Sequence, residues 1–176
     1  MNLASSILVI FIHTPKWVWL ILAAVLVFGY LATRPRTLPV WRFLMLPLAM
    51  FAWSTYGVLS GPLSPETILV WLAAIGVGAV FGRRLALSSG ASAGARPGTV
   101  FLPGEWWSFR LVLTIFVARY FFASAAAITP MLVVDPTFIL AKVIVMGALG
   151  GTFAGRTAMI AAAARRRPTV ITEAIA

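Results

Sequence analysis

An arginine inside an otherwise apolar segment is the residue of this sequence with the most unusual chemistry. Arg119 lies near the middle of the apolar run 106–129, where an arginine costs about 2.5–3.5 kcal/mol on membrane-insertion scales. The acidic residues all lie at or beyond the ends of apolar runs, at Glu66, Glu105, Asp135 and Glu173. Arg119 therefore either braces neighbouring helices through carbonyl oxygens or binds an anion, and the sequence leaves both interpretations open.

Further arginines lie near the ends of the apolar runs. Several of them are expected at lipid-headgroup depth on one side of a membrane, where they form a candidate site for an anion or a lipid phosphate. The planar fork of arginine can hold phosphate oxygens by two bonds. Arginines of this kind also serve simply to anchor helices. Together with Arg119, the candidate residues are Arg42, Arg83, Arg84, Arg110 and Arg156.

Glycines recur every fourth residue in the last apolar run, at Gly147, Gly151 and Gly155. Such spacing lets two membrane helices approach closely. The predicted partner is the third run, which offers Gly76, Gly78 and Gly82, and a second copy of the chain is the alternative. Arg156 is about 180° from Gly147 around a helix, so the last helix is expected to pack on two sides.

The sequence does not indicate catalytic chemistry. Paired carboxylates, metal-ligand spacings and glycine-rich phosphate loops are absent, and the chain has no cysteine. His13 is the single histidine, and with no second ligand nearby a capping or solvated role is predicted for it. We therefore expect no enzyme activity, no catalytic residues, no metal and no cofactor.

The elements that position these residues are predicted to be membrane helices. The 176 residues are 61% hydrophobic and only 10% charged, with a mean hydropathy of +1.00, whereas soluble domains carry about 25% charged residues. The net charge of +10 would suit nucleic acid if it covered one soluble face. The basic residues instead lie between the apolar runs, so we expect no nucleic-acid partner.

Five apolar runs are long enough to cross a bilayer core of about 30 Å. Ser64-Pro65-Glu66 and Asp135-Pro136-Thr137 supply a helix cap and a first-turn proline for the third and fifth runs. Pro47 predicts a kink within the second run. The sequence predicts an all-α bundle of five transmembrane helices in a single domain, spanning about 15–32, 40–59, 65–82, 106–129 and 136–164.

The remaining segments are short. Leu3 to Ile12 is apolar but too short to cross, and without a basic residue before it we expect no cleaved signal peptide. Residues 85–105 form a polar connection, within which Thr99 to Leu102 is expected to pair as a short strand. Residues 165–176 form a basic tail.

Arginines on alternate connections predict the orientation of the bundle. The clusters follow the first, third and fifth runs, and positive residues favour the cytoplasmic side. The N-terminus is therefore predicted outside and the C-terminus in the cytoplasm. The similar starts of the third and fifth runs also suggest a repeat of two helical hairpins, although shared capping chemistry alone would look the same.

Short motifs spread over nearly the whole chain carry a family resemblance. They are His13-Thr14-Pro15 with Trp17 and Trp19, Leu46-Pro47-Leu48-Ala49-Met50 with Tyr56-Gly57, Pro103-Gly104 before Trp106, Arg119-Tyr120, and Gly155-Arg156. Through these motifs the chain resembles an uncharacterised family of small multi-pass bacterial inner-membrane proteins. The resemblance implies no activity. It implies the inner membrane as the location and marks Arg119 and Arg156 as family features.

Three functions are compatible with these features. The first is an accessory protein that contacts a larger membrane complex, a second copy of itself or anionic lipid. The second is a small channel or anion transporter that uses Arg119 inside the membrane. The third, disfavoured because an acid–base set is missing, is an enzyme acting on a lipid-linked phosphate.

Overall fold

The structure is a computed structural model that describes residues 15–59, 64–104 and 106–165. Four features discussed above lie outside the described residues: the segment Leu3 to Ile12, His13, Glu105, and the tail beyond 165.

The described chain is mostly helical and carries a small sheet. The helices are α1 (Lys16–Ala32), α2 (Val40–Leu59), α3 (Pro65–Leu87), α4 (Trp106–Ile128) and α5 (Pro136–Arg165), with a short 3₁₀ turn at Pro130–Val133. The strands are β1 (Arg36–Pro39), β2 (Ser92–Ala93) and β3 (Thr99–Leu102).

Three of the described helices are long and apolar enough to cross a membrane. They are Pro65–Leu87, Trp106–Ile128 and Pro136–Ala163, whereas Val18–Ala32 is a shorter apolar segment. The chain is thus a membrane protein by the length and composition of these helices.

Both predicted helix caps are present. The Ser64 hydroxyl accepts a hydrogen bond from the Thr67 amide at 3.2 Å, with Pro65 in the first turn. The Asp135 carboxylate accepts one from the Phe138 amide at 2.8 Å. These bonds satisfy amides that the first turn of a helix leaves without a partner, and they fix where α3 and α5 begin.

One helix end differs from the sequence prediction by more than one residue. The third helix was expected to end at Gly82, but α3 continues to Leu87 and includes Arg83 and Arg84. Charged residues end an apolar run, yet arginine favours a helix and therefore does not end the helix itself. The fourth helix ends at Ile128, and the 3₁₀ turn then leads into α5.

The sheet corrects the prediction of an all-α fold. Thr99–Leu102 is a strand, as predicted, and it forms the centre of a three-stranded antiparallel sheet in the order β1-β3-β2. Its main partner, β1, comes from the connection between α1 and α2, with Arg36 opposite Leu102 and Pro39 opposite Thr99. The prediction missed β1.

The sheet is held by helix residues, because a sheet this small cannot build a core alone. Val100 and Leu102 point to the same face of β3 and are buried, together with Ala86 of α3 and Ile160 of α5. Gly104, at φ +79°, follows the sheet and lies so close to the backbone of Thr33 to Pro35 that a side chain would overlap it. The two connections therefore form one cap on the bundle.

The cap defines the two ends of the bundle. We call the end of the bundle that carries β1, β2 and β3 the sheet end, and the other the opposite end. Helices α1, α3 and α5 run towards the sheet end, and α2 and α4 run away from it. Because α3 and α5 run parallel, a repeat of two hairpins is geometrically possible, and the duplication stays a prediction.

Candidate functional site

The glycines of α5 lie against α3. An added methyl group on Gly151 would overlap the carbonyl oxygen of Ile75, and one on Gly155 would overlap that of Ala79. Gly147 lies against Trp71 and Ala74. The backbones of the two helices are therefore in direct contact along three turns, as small residues at four-residue spacing permit.

The contact is reciprocal. Methyl groups on Gly78 and Gly82 of α3 would overlap the carbonyl oxygens of Ala148 and Thr152 of α5. Gly76 and Gly150 have no neighbouring atom within 4 Å. Because α3 covers the face made by Gly147, Gly151 and Gly155, that face is not open to a second copy of the chain.

Arg156 lies on the other side of α5, where it meets α4. Its side chain is buried, with 5% of its surface exposed, and its Nη1 donates a hydrogen bond to the Ser108 hydroxyl at 2.9 Å. Ser108 is in the first turn of α4. Arg156 therefore joins α5 to α4 near the sheet end, and its burial separates it from the exposed arginines with which the sequence grouped it.

The other predicted arginines near the sheet end are exposed. They are distributed over three helices, at Arg42, Arg83, Arg84 and Arg110. Arg34, in the connection between α1 and α2, and Arg96, in the connection between α3 and α4, are exposed as well. The structure thus places a set of solvent-accessible guanidinium groups around this end. We call Arg34, Arg42, Arg83, Arg84 and Arg110 the basic rim.

Two members of the basic rim stack on aromatic rings. The guanidinium carbon of Arg34 is 5.5 Å from the centre of the Tyr30 ring, and that of Arg110 is 5.8 Å from the Trp107 ring. Stacking fixes the plane of the guanidinium group and leaves its N–H edges open. Each of these two guanidinium groups therefore has an aromatic ring beside it at the sheet end.

Arg36 lies inside the rim on β1. Its Nε is buried and has no hydrogen-bond partner among the described residues, and burial lowers the pKa of its guanidinium below the usual value. An arginine stays charged in proteins even so. Arg36 therefore adds one more positive charge at the sheet end, at a position that the sequence prediction did not single out.

Arg119 lies on the side of α4 that faces the bundle. At about 100° per residue, Ile115, Arg119 and Phe122 fall within about 60° of one another around the helix, and Ile115 and Phe122 are buried. Arg119 itself is partly buried. Within the described parts of the chain it makes no hydrogen bond and no ion pair.

Lys142 is a cation inside a membrane-spanning helix that the sequence prediction missed. It is exposed and lies six residues after Pro136, within the segment Pro136–Ala163. The sequence contains the signal, since a lysine falls inside the fifth predicted span just as Arg119 falls inside the fourth. The described span helices α4 and α5 therefore carry Arg119 and Lys142 as well as the arginines near the sheet end.

Acidic residues in the described parts of the chain lie at the opposite end. Glu66 is in the first turn of α3, and Asp135 caps α5. Among the described residues there is no group of three histidine, cysteine or acidic side chains that could hold a metal ion. The described acidic residues thus lie at one end of the bundle and the basic rim lies at the other, with Lys16 as a cation at the acidic end.

A family model described as "Family of unknown function (DUF6622)" matches residues 2–170. The match covers nearly the whole sequence and agrees with the resemblance to an uncharacterised family. No curated protein and no solved structure matches the chain.

Proposed function

The chain belongs to this family of unknown function, and we propose that it is an integral membrane accessory protein whose basic rim binds anionic lipid headgroups. In this proposal the five helices cross a bacterial inner membrane, with the N-terminus outside. The sheet end and the C-terminus lie on the cytoplasmic side. The separation of charge along the bundle is the observation that carries the proposal.

The charge separation favours this orientation. Arginines concentrate on the cytoplasmic side of membrane proteins, and the basic rim lies at one end of helices long enough to cross a bilayer. With α3, α4 and α5 crossing, α1 and α2 are the remaining helices of a five-pass arrangement. Helix α1 contains the apolar segment Val18–Ala32, which is shorter than the three longer spans.

The basic rim has the chemistry that a lipid phosphate needs. Arginine forks bind phosphate oxygens by two charge-assisted hydrogen bonds, and Arg34 and Arg110 are already oriented by Tyr30 and Trp107. Trp106 and Trp107 are exposed beside them, as aromatic residues at headgroup depth commonly are. No described acidic residue lies at this end to neutralise the rim.

Lipid retention tests the proposal. The chain is placed in nanodiscs of equal phosphatidylglycerol and phosphatidylcholine, and native mass spectrometry counts the lipids that stay bound. We expect preferential retention of phosphatidylglycerol. A basic residue near a charged membrane surface contributes about 1 kcal/mol, so Arg84→Gln should reduce this preference by about fivefold and Arg83→Gln/Arg84→Gln further.

The matched control removes one charge at the opposite end. Lys16→Gln should leave the preference unchanged, because Lys16 is exposed in the first turn of α1, away from the rim. Equal retention of both lipids by the unaltered chain would contradict the proposal.

A second function is favoured by one observation. Arg119 faces the bundle from α4 without a hydrogen bond or ion pair to any described residue, and ionisable residues inside membranes commonly mark ion pathways. We propose anion transport through the bundle as the alternative. This alternative predicts that the chain carries anions across the membrane of proteoliposomes and that Arg119→Gln abolishes the flux. The absence of anion flux with the unaltered chain would eliminate the alternative.

A further inference from the structure

Arg119 and Lys142 lie on facing sides of two neighbouring helices. The rings of Phe122 and Phe138 meet edge to face with their centres 5.5 Å apart, which brings α4 and α5 together near the opposite end. Lys142 is one turn after Phe138 and about 40° from it around α5. Arg119 is three residues before Phe122 on α4. Because the helices are antiparallel, both cations lie one turn from this aromatic contact, towards the sheet end.

The side of α5 that carries Lys142 is not the side that packs on α3. Lys142 is about 140° from Gly147 around the helix, and Gly147 lies against Trp71 of α3. The same side carries Arg156 further along, which reaches Ser108 of α4. The contacts of Phe138 and Arg156 with α4 therefore define the side of α5 that faces α4, and Lys142 lies on this side between them.

No described carboxylate neutralises the two cations. Neither side chain has a hydrogen bond or an ion pair within the described residues. The register of Ile75 with Gly151 and of Ala79 with Gly155 places Glu66 level with Lys142, but α3 lies on the other side of α5. An anion between the two helices would be attracted by both cations, and the attraction is stronger inside a membrane than in water.

Depth distinguishes Arg119 from the arginines of the basic rim. Arg119 lies nine residues before Ile128, which is about 13 Å along the helix axis, and it lies further still from Trp106 at the sheet end. A guanidinium group at this position is far from both ends of α4. Lys142, about 9 Å from the start of α5, is exposed and therefore accessible to a ligand that arrives from the opposite end.

We propose that Arg119 and Lys142 together bind one oxyanion group, a phosphate or a carboxylate, between α4 and α5. This site is separate from the basic rim. The same group can belong to a free small anion or to an anionic lipid headgroup of the membrane leaflet at the opposite end. The arginine fork holds two oxygens, and the ammonium group adds a third contact.

Thermal stabilisation of the full chain measures binding to this site. In one arm, inorganic phosphate is titrated into phosphatidylcholine nanodiscs at constant ionic strength. In the other, phosphatidylglycerol replaces part of the phosphatidylcholine without added phosphate. A ligand that binds only the folded chain raises the melting temperature, by an amount that grows with the logarithm of its concentration relative to its Kd. Because the basic rim also binds phosphatidylglycerol in the proposed function, only the stabilisation that Lys142→Gln removes reports on this site. Such stabilisation in the first arm identifies a free anion, and in the second arm alone it identifies a headgroup.

Charge-removing variants assign the stabilisation to the two residues. Arg119→Gln and Lys142→Gln should each weaken binding about tenfold, as expected for the loss of one charge-assisted hydrogen bond. Lys16→Gln, which removes a cation at the same end, should bind like the unaltered chain. Arg83→Gln/Arg84→Gln should also keep the Lys142-dependent stabilisation, which separates this site from the basic rim.

Two results would overturn the proposal. One is stabilisation that Lys142→Gln leaves unchanged, since the site would then lack its second cation. The other is the absence of stabilisation in both arms. If Arg119→Gln does not fold, Arg119→Lys keeps the charge and should retain binding more weakly than the unaltered chain, and the result with Lys142→Gln stands alone.

Discussion

Replacing Gly151 or Gly155 with alanine is expected to destabilise the chain by about 1–3 kcal/mol, the cost of inserting a methyl group into a closely packed contact. In both cases the new methyl group would overlap a backbone carbonyl oxygen of α3, at Ile75 or at Ala79. A backbone atom cannot rotate away as a side chain can, so the helices must separate. The melting temperature in detergent, followed by circular dichroism or by tryptophan fluorescence, measures the loss.

Two glycines of the same helices serve as controls. Gly150→Ala and Gly76→Ala place a methyl group where no atom lies within 4 Å, and alanine favours a helix over glycine by about 1 kcal/mol. These variants should be neutral or slightly stabilising. If Gly150→Ala and Gly151→Ala destabilised the chain equally, close packing of α3 on α5 would be contradicted.

Arg156→Ala is the second change with a large expected effect. Arg156 is buried and donates to Ser108 of α4, and a hydrogen bond to a charged group contributes about 1.5–3 kcal/mol. The truncation also leaves space where a long side chain was packed. We expect a lower melting temperature and faster proteolysis, measured on the purified chain.

Two further variants separate the hydrogen bond from the packing. Arg156→Met keeps much of the length of the side chain but cannot donate, so it should remain destabilised, and Ser108→Ala should show part of the same loss. Arg84→Ala, at an exposed position of α3 near the same end, should change the melting temperature little. An Arg156→Met chain as stable as the unaltered one would exclude a role for the hydrogen bond.

The local chemistry of the helices could be predicted from the sequence. Ser64 and Asp135 cap α3 and α5, because the capping side chain and the proline after it act within a few residues. The glycine spacing pointed to α3 as the partner of α5, because close approach requires small residues on both helices. The caps depend on residues that are neighbours in sequence, and the glycine contact depends on residues that recur at a helical spacing along one segment.

Nonlocal pairing could not be predicted in the same way. The strand β1 is only four residues long, follows Pro35 and ends at Pro39, and pairs with residues about sixty positions later. Four residues give no period from which a strand can be recognised. The facing positions of Arg119 and Lys142 likewise depend on how α4 meets α5, for which the contact between Phe122 and Phe138 is the evidence.

Cysteine labelling across α4 tests most directly whether this is a membrane-spanning bundle with its sheet end in the cytoplasm. The chain has no cysteine of its own. Ser92→Cys lies at the sheet end, and Met131→Cys lies at the opposite end with 76% of the methionine exposed. A membrane-impermeant maleimide should label Met131→Cys in intact spheroplasts and Ser92→Cys only after the spheroplasts are lysed. Labelling of both positions from the same side would contradict the account.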